Sequence, residues 1–330
     1  MSEKASRKLI AERAGVSTTT VTRMFSGSGY VSESTKNKII QIAEELGYTP
    51  NKAVRNMVTH GNNGFIAVLV PDMTNYYYME MFDCMTRLLD DTEYAISIYH
   101  VTDKNFSRML DQMLQYRVTA VINMLLEPIP DSYIKKFRCA NIKLLHPNLT
   151  DDPLQLSFDC SQAIEEAFDK MWSSGCRKFR FFACTDAKYI VDQRIQTYLS
   201  VMRKHGFDEP EKTIVWGSYP HVSAVEAGCA VARELFAGGE EADAVFCLND
   251  MMALGAMKIF GTAGKTVGAD ILVVGFDNIL MGKYSHPSLS TIDSFMAKQA
   301  KQYIDYVLTN GEPRPLAIVS EFIERGSTRR

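Results

Sequence analysis

With 330 residues, 46% of them hydrophobic and 23% charged, the chain is long enough for two or three structural units and a large core. No apolar run approaches the roughly 18 residues that span a bilayer. The opening "MSEKASRKLIAERAG" is charged and has no signal-peptide apolar core, which points to the cytoplasm.

The net charge of −3 is unevenly spread. The first 60 residues hold nine Lys/Arg against five Glu, a net of +4, and the remainder carries −7. A basic head on an acidic body is the pattern of a head that meets a polyanion. The seven cysteines are scattered and never spaced as C-x-x-C, which argues against a zinc ribbon or a disulfide framework and reads as small apolar side chains.

Three short helices are predicted in the first 47 residues. In "SRKLIAERA", Leu9, Ile10 and Ala14 share one face, and Gly15 ends the pattern. A second helix follows Ser17, a good N-cap, with Val21, Met24 and Phe25 as its apolar stripe. After the loop "SGSG", Ser32 caps a third helix with Ile39, Ile42, Ala43 and Leu46 at helical spacing, and Gly47 stops it. A polar linker with one short helix, "NKAVRNMV", follows over 49–62.

From there, apolar strand-like runs alternate with helical stretches. The strands are expected in "FIAVLV" (65–70), "AISIYHV" (95–101), "AVINMLL" (120–126), "IKLLH" (142–146), "FRFFAC" (179–184), "TIVWG" (213–217), "AVFCL" (244–248) and "ILVVGF" (271–276). Helices are expected over 79–92, 105–117, 161–174, 191–205, 223–237 and 250–261. Continuous apolar strands between helices mean parallel sheets covered on both faces. Eight such units exceed a comfortable single sheet. The expected fold is therefore an all-α helix-turn-helix head (1–48), a hinge (49–62) and an α/β body (63–330) of two lobes. A cleft between the lobes would bind a small molecule outside the strand ends.

Two helices joined at "AGVS" form a helix-turn-helix signal, with Gly15 where the turn needs positive φ. In that geometry the N-terminal residues of the second helix face base edges in the major groove. Ser17, Thr18, Thr19 and Thr20 are short and polar enough to read edges, and a threonine methyl meets a thymine methyl. Arg23, one turn deeper, suits guanine or phosphate. A protein-binding three-helix module, with the threonines as caps, is the alternative on spacing alone.

The stretch "AGVSTTTVTRMFSGSGYVSESTKNKIIQIAEELGYTPN" resembles the DNA-binding domain of the lactose/galactose repressor family of bacterial transcription regulators. Its triple threonine is similar to the recognition helix of the purine repressors of that family. Further matches are "PDMTNYYY", "NDMMALGAM", "VGFDN", "HPSLSTID" and the terminal "ERGST", so nearly the whole chain is covered. The resemblance implies base reading by Thr18 and Thr19, with Ser17, Thr20 and Arg23 in support. It places Asn51, Arg55 and Met57 in a hinge helix that enters the minor groove as one of a pair and wedges a base step. Met57 stands where the family usually has leucine, Val54 where it has alanine, and Leu9 where aspartate is frequent.

For the body, the resemblance implies a periplasmic-binding-protein-like domain whose ligand alters the hinge and so the affinity for DNA. Asp72, Asn75, Tyr77 and Tyr78 would line the first lobe's side of the cleft. Arg194, Asn249, Asp250 and Asp277, each near a strand end, would line the other. Tyr219 or Trp216 would supply an aromatic wall, though "YPHVSAVEAG" is a few residues longer than usual. Thr197 replaces a glycine and Ser294 a glutamine found in some members.

Such groups suit a polyhydroxylated ligand, most simply a sugar: carboxylates accept from hydroxyls, arginine donates, and tyrosines stack on an apolar ring face. Two readings stay open for Asp250 (ligand contact or helix cap), for the tyrosines (cleft or packing) and for His146. No cofactor, metal or membrane is implied. The expected partners are a pseudo-palindromic DNA operator, the effector and a second copy of the chain, since no tetramer-forming leucine heptad follows "ERGST". An α/β enzyme lacks support from any phosphate loop, dinucleotide fingerprint or H-E-x-x-H. A sugar receptor without DNA function is countered by the basic head.

Overall fold

The computed structural model describes residues 5–26, 29–49, 63–125, 127–145, 157–184, 192–219, 221–239, 241–309 and 317–329. Of the predicted hinge only Thr49 is among them. Asn51, Val54, Arg55, Met57 and His146 lie outside the described residues.

The head has three helices: α1 (Arg7–Ala14), α2 (Thr18–Ser26) and α3 (Glu33–Glu45). The Ser6 hydroxyl caps α1 by accepting from the N–H of Leu9, and Ser32 caps α3 by accepting from that of Thr35. Gly15 turns the chain between α1 and α2 at φ 67°, a conformation that costs a glycine nothing. Ile10, Ala11, Ala14, Val21, Ile39, Ile42 and Ala43 form the core. Leu9, expected on the inner face of α1, is only half-buried, and Ala11 takes that place.

The body starts with β1 (Phe65–Val70), α4 (Tyr76–Arg87), β2 (Ala95–His100), α5 (Phe106–Tyr116), β3 (Ala120–Asn123), α6 (Asp131–Cys139) and β4 (Lys143–Leu145). The strands make a parallel sheet in the order β2-β1-β3-β4. Strand periodicity sends Ala67 and Leu69 of β1 toward Leu110, Met113 and Phe137 of α5 and α6. Ile66, Val68 and Val70 face the other way, toward Met81 and Met85 of α4. Burial on both faces is why β1 is continuously apolar.

The chain continues with β5 (Ser157–Asp159), α7 (Ser161–Ser173), β6 (Phe179–Ala183), α8 (Gln193–Lys204), β7 (Ile214–Trp216), α9 (Ala224–Ala237), β8 (Ala244–Cys247) and α10 (Asp250–Thr262). Then come β9 (Leu272–Phe276), α11 (Leu280–Tyr284), β10 (Ser290–Asp293), α12 (Met296–Leu308), β11 (Ala317–Val319) and β12 (Glu321–Ile323). The second sheet runs β12-β10-β9-β8-β6-β7, parallel except for β12 against β10. Helices α9 and α10 pack backbone to backbone: a Cβ at Gly228 would lie 2.0 Å from the carbonyl oxygen of Met252, and one at Gly255 2.2 Å from that of Val225.

Each of the eight predicted apolar runs contains a strand, and the six predicted helices are present within a few residues. The lobes are not sequential blocks. Ala300, Tyr303, Ile304 and Val307 of α12, with Ile318 of β11, belong to the core of the first lobe, although β10 before them and β12 after them belong to the second sheet. Strands β5 and β11 lie side by side, in parallel, in segments that run from one lobe to the other. Cys160, Cys176, Cys184 and Cys247 are buried, whereas Cys139 is exposed. Among the described residues, no helix is long and apolar enough to cross a membrane, and no group of three or more His, Cys, Asp or Glu is placed to hold a metal ion.

Candidate functional site

The loop after β1 and the start of α4 form one wall between the lobes. Asp72 is buried there; its Oδ1 accepts from the N–H and hydroxyl of Thr74 (2.8 and 2.6 Å). Its Oδ2 reaches across to accept from the N–H of Ala224 at the start of α9, at 3.1 Å. Asn75 caps α4, accepting from the N–H of Tyr77 at 3.1 Å. The Tyr77 hydroxyl donates to Gln299 Oε1 on α12 (3.2 Å), and its ring meets that of Tyr78 edge to face. The hydroxyls of Tyr78 and Tyr219 share a hydrogen bond between the lobes (3.3 Å). Trp216 instead packs against the core of the second lobe. Tyr76 is exposed.

The opposite wall is the C-terminal edge of the second sheet. Arg194, in the first turn of α8, is held by Asp192, which accepts from its Nε (2.9 Å) and Nη2 (2.6 Å). Its Nη1 donates to the carbonyl of Leu248 just past β8 (2.8 Å), and its guanidinium stands 5.3 Å from the Phe276 ring at the end of β9. Asp277 follows at φ 112°, a left-handed backbone rarely adopted outside glycine. It is buried, and its carboxylate accepts no hydrogen bond from the described residues. At the end of β10 the buried Ser294 hydroxyl likewise has no partner among them.

Asn249 and Asp250 are built differently. Asn249 caps α10, accepting from the N–H of Met252 at 2.8 Å. Both oxygens of Asp250 are engaged internally: Oδ1 accepts from the Thr291 hydroxyl (2.6 Å) and Oδ2 from the N–H of Ile279 (2.9 Å). In this arrangement it braces the loop that carries Asp277. Seven of the nine predicted cleft residues therefore converge between the lobes, whereas Asn249 and Asp250 are buried and engaged within the second lobe.

The electrostatics follow from burial. Burial, and then the Asp250 carboxylate, push Asp277 well above the usual carboxylate range against the pull of Arg194. Burial also raises the phenols of Tyr77, Tyr78 and Tyr219, so they stay neutral donors and acceptors. Burial alone would lower Arg194, but Asp192 outweighs it and keeps the guanidinium charged. A site of one buried acceptor, a fixed guanidinium and neutral phenols is equipped to hold hydroxyl groups.

On the head, Thr18 and Thr19 are exposed at the start of α2, and neither hydroxyl has a partner among the described residues. Ser17 and Thr20 bond to each other: their hydroxyls are 2.9 Å apart, and Ser17 Oγ accepts from the N–H of Thr20 at 3.1 Å. Arg23 is exposed one turn along.

Asp192, Gln299 and Glu80, whose carboxylate accepts from the N–H of Leu280 (2.8 Å), are absent from the sequence-based set. Asp192 was within reach as an aspartate at a helix start, where such residues cap. Gln299 and Glu80 carry no local signal.

Two family models match the chain: that of the bacterial regulatory proteins of the lacI family over residues 8–51, and that of a periplasmic binding protein-like domain over residues 168–328. The probable HTH-type transcriptional repressor ExuR of Bacillus subtilis (strain 168) is 29% identical over 321 residues, covering 95% of this chain and 91% of the relative. The lac repressor dimer bound to operator and the anti-inducer ONPF has a TM-score of 0.74 at 20% identity, over 99% of this chain and 100% of that one. The complex of the transcriptional regulator CelR with cellobiose has a TM-score of 0.65 at 20% identity, over 98% and 99%. At these identities the two structures speak for the fold.

Proposed function

The chain belongs to the LacI family of bacterial regulatory proteins, and we propose that it is a homodimeric repressor whose hold on its operator is set by a sugar bound between the lobes. It is a DNA-binding transcriptional regulator and not an enzyme. Residues 1–48 read DNA, 49–62 form the hinge, and 63–330 bind effector and dimerise. Thr18 and Thr19 read bases in the major groove, supported by Ser17, Thr20 and Arg23, while Asn51, Arg55 and Met57 act in the minor groove. A two-fold dimer calls for a pseudo-palindromic operator, and a DNA partner places the protein in the cytoplasm.

The observation that carries the effector reading is Asp277. A buried carboxyl group without a hydrogen bond is costly unless a ligand supplies partners, and the group is electrostatically coupled to both Arg194 and Tyr77. Asp72, Asn75, Tyr77, Tyr78, Arg194 and Tyr219 complete the cleft, with Asn249 and Asp250 buried within the second lobe. A sugar accepts from Arg194, hydrogen-bonds Asp277 and lies against the tyrosines. The known cellobiose complex of CelR is in keeping with this.

A thermal-shift screen of sugars and nucleobases identifies the effector, since a cleft ligand stabilises by mass action. Fluorescence anisotropy on pseudo-palindromic DNA flanking the gene then measures operator affinity with and without it. The expected result is an effector-dependent change that Arg194→Ala abolishes while operator binding stays within a few-fold. A retained response in that variant would overturn the cleft assignment, and failure to bind any such DNA would overturn the operator reading.

A further inference from the structure

Asp192 is the N-cap of α8, and among the described residues its carboxylate accepts from one residue alone. Its Oδ1 accepts from the backbone N–H and Nε of Arg194, both at 2.9 Å, and its Oδ2 accepts from Nη2 at 2.6 Å. Arg194 Nη1 donates to the Leu248 carbonyl. A guanidinium has five N–H groups, so two remain without a partner among the described residues, one on each terminal nitrogen. The pair is mostly shielded from solvent, with the Arg194 and Asp192 side chains 23% and 19% exposed. Arg194 therefore enters the cleft as a directional donor whose charge is already matched.

The other charged groups around it are carboxylates. Asp277 is electrostatically coupled to the same guanidinium and accepts no hydrogen bond from the described residues, and burial, then the carboxylates of Asp250, Asp192 and Glu80, push it up. Resting on the reading that the cleft takes a polyhydroxylated effector, we propose that Asp192 is a specificity-determining residue. By matching the charge of Arg194, it confines the cleft to effectors without negative charge, neutral or amine-bearing, and excludes carboxylate- and phosphate-bearing ones.

The physical reason is a difference between two ligand chemistries at one place. A hydroxyl accepts from the two remaining N–H groups and hydrogen-bonds Asp277, while an ammonium favours the ionised form of Asp277 and pairs with it. A ligand carboxylate would compete with the Asp192 carboxylate for the guanidinium, and like charges so placed cost several kcal/mol. A mere helix cap at position 192 makes a different prediction, because serine caps as well as aspartate.

Calorimetry on the full chain separates these possibilities. The probes are matched triads (a hexose, its 2-amino derivative and its 6-carboxylate, of one stereochemistry) and inorganic phosphate. Wild type is expected to bind the neutral or amino member of a triad about tenfold or more tighter than the carboxylate, and to take up no phosphate through Arg194. Asp192→Asn, which keeps the cap, is expected to narrow or reverse that ratio by about tenfold and to gain phosphate binding. The gain should vanish in Asp192→Asn/Arg194→Gln. Asp192→Ser serves as a second capping variant should asparagine disturb folding.

Wild type favouring the carboxylate overturns the proposal, as does an unchanged ratio and no phosphate gain in both capping variants. If no triad member binds wild type, the sugar reading fails by itself. The phosphate arm then decides: affinity gained on loss of Asp192 and lost with Arg194 upholds the charge match, and no gain refutes it.

Discussion

Asp72 of the first lobe accepts a hydrogen bond from the backbone N–H of Ala224, the first residue of α9 in the second lobe, at 3.1 Å. A carboxylate at a helix N-terminus is stabilised by unpaired N–H groups and the helix dipole, by about 0.3–2 kcal/mol. Glu80 makes the same kind of contact with the N–H of Leu280 at the start of α11. Two carboxylates of one lobe thus latch onto helix starts of the other.

Breaking the first latch should loosen the observed lobe arrangement. Asp72→Ala is expected to weaken effector binding about fivefold, corresponding to about 1 kcal/mol, and to raise the radius of gyration in small-angle scattering. An unchanged scattering curve together with an unchanged effector affinity would dismiss the latch.

The threonines at the head should separate by role. Thr18→Ala is expected to relax choice at one operator position by about 1–3 kcal/mol. Thr20, bonded to Ser17, should instead give a loss of about 1 kcal/mol spread evenly over all sequences when replaced by alanine. Binding measured on an operator library with every single-base change distinguishes a selective from a uniform loss.

Asp250 should make stability fall with rising pH. Burial pushes its carboxyl up to about 7 in the folded protein, against the hydrogen bonds from Thr291 and Ile279. The native state then holds the proton more tightly than the unfolded chain. That contribution is fully present below the ordinary carboxylate range and is lost as pH rises through about 7, with a magnitude of about 2–4 kcal/mol. Asp277, also raised, acts in the same direction. Urea denaturation between about pH 4 and pH 8 should show this slope in wild type and a flatter one in Asp250→Asn; equal slopes would assign the effect elsewhere.

Close approach of α9 and α10 should make Gly255 irreplaceable. A Cβ there would lie 2.2 Å from the carbonyl oxygen of Val225, a backbone atom that cannot rotate away. Gly255→Ala is expected to cost about 2–4 kcal/mol in urea denaturation. A cost below about 0.5 kcal/mol, the range of neutral surface changes, would mean that the helices slide apart freely.

Much was legible in the sequence because it is local. Helix caps at Ser17 and Ser32, the turn at Gly15 and the period of apolar residues all act within a few positions, so the three head helices and the eight apolar strands follow from short windows. Candidate cleft residues were legible for the same reason, since strand ends are where a parallel sheet meets its ligand. Strands β5, β10, β11 and β12 were not, because β5, β10 and β12 mix polar and apolar residues and form no continuous apolar run, and β11 stands outside the alternation of strands and helices.

By itself, the sequence determined a helix-turn-helix head with exposed Thr18 and Thr19 and a parallel α/β body with Arg194 and Asp277 near strand ends. Only the tertiary structure decided that α12, late in the chain, completes the core of the first lobe, and that its Gln299 receives the Tyr77 hydroxyl. It also decided which carboxylates are engaged: Asp250 within its own lobe, Asp72 across the lobes, Asp192 on Arg194, and Asp277 with none. Periodicity records which face of an element is buried. It does not record which distant donor a buried carboxylate meets, and that meeting decides whether the group braces, latches or waits for a ligand.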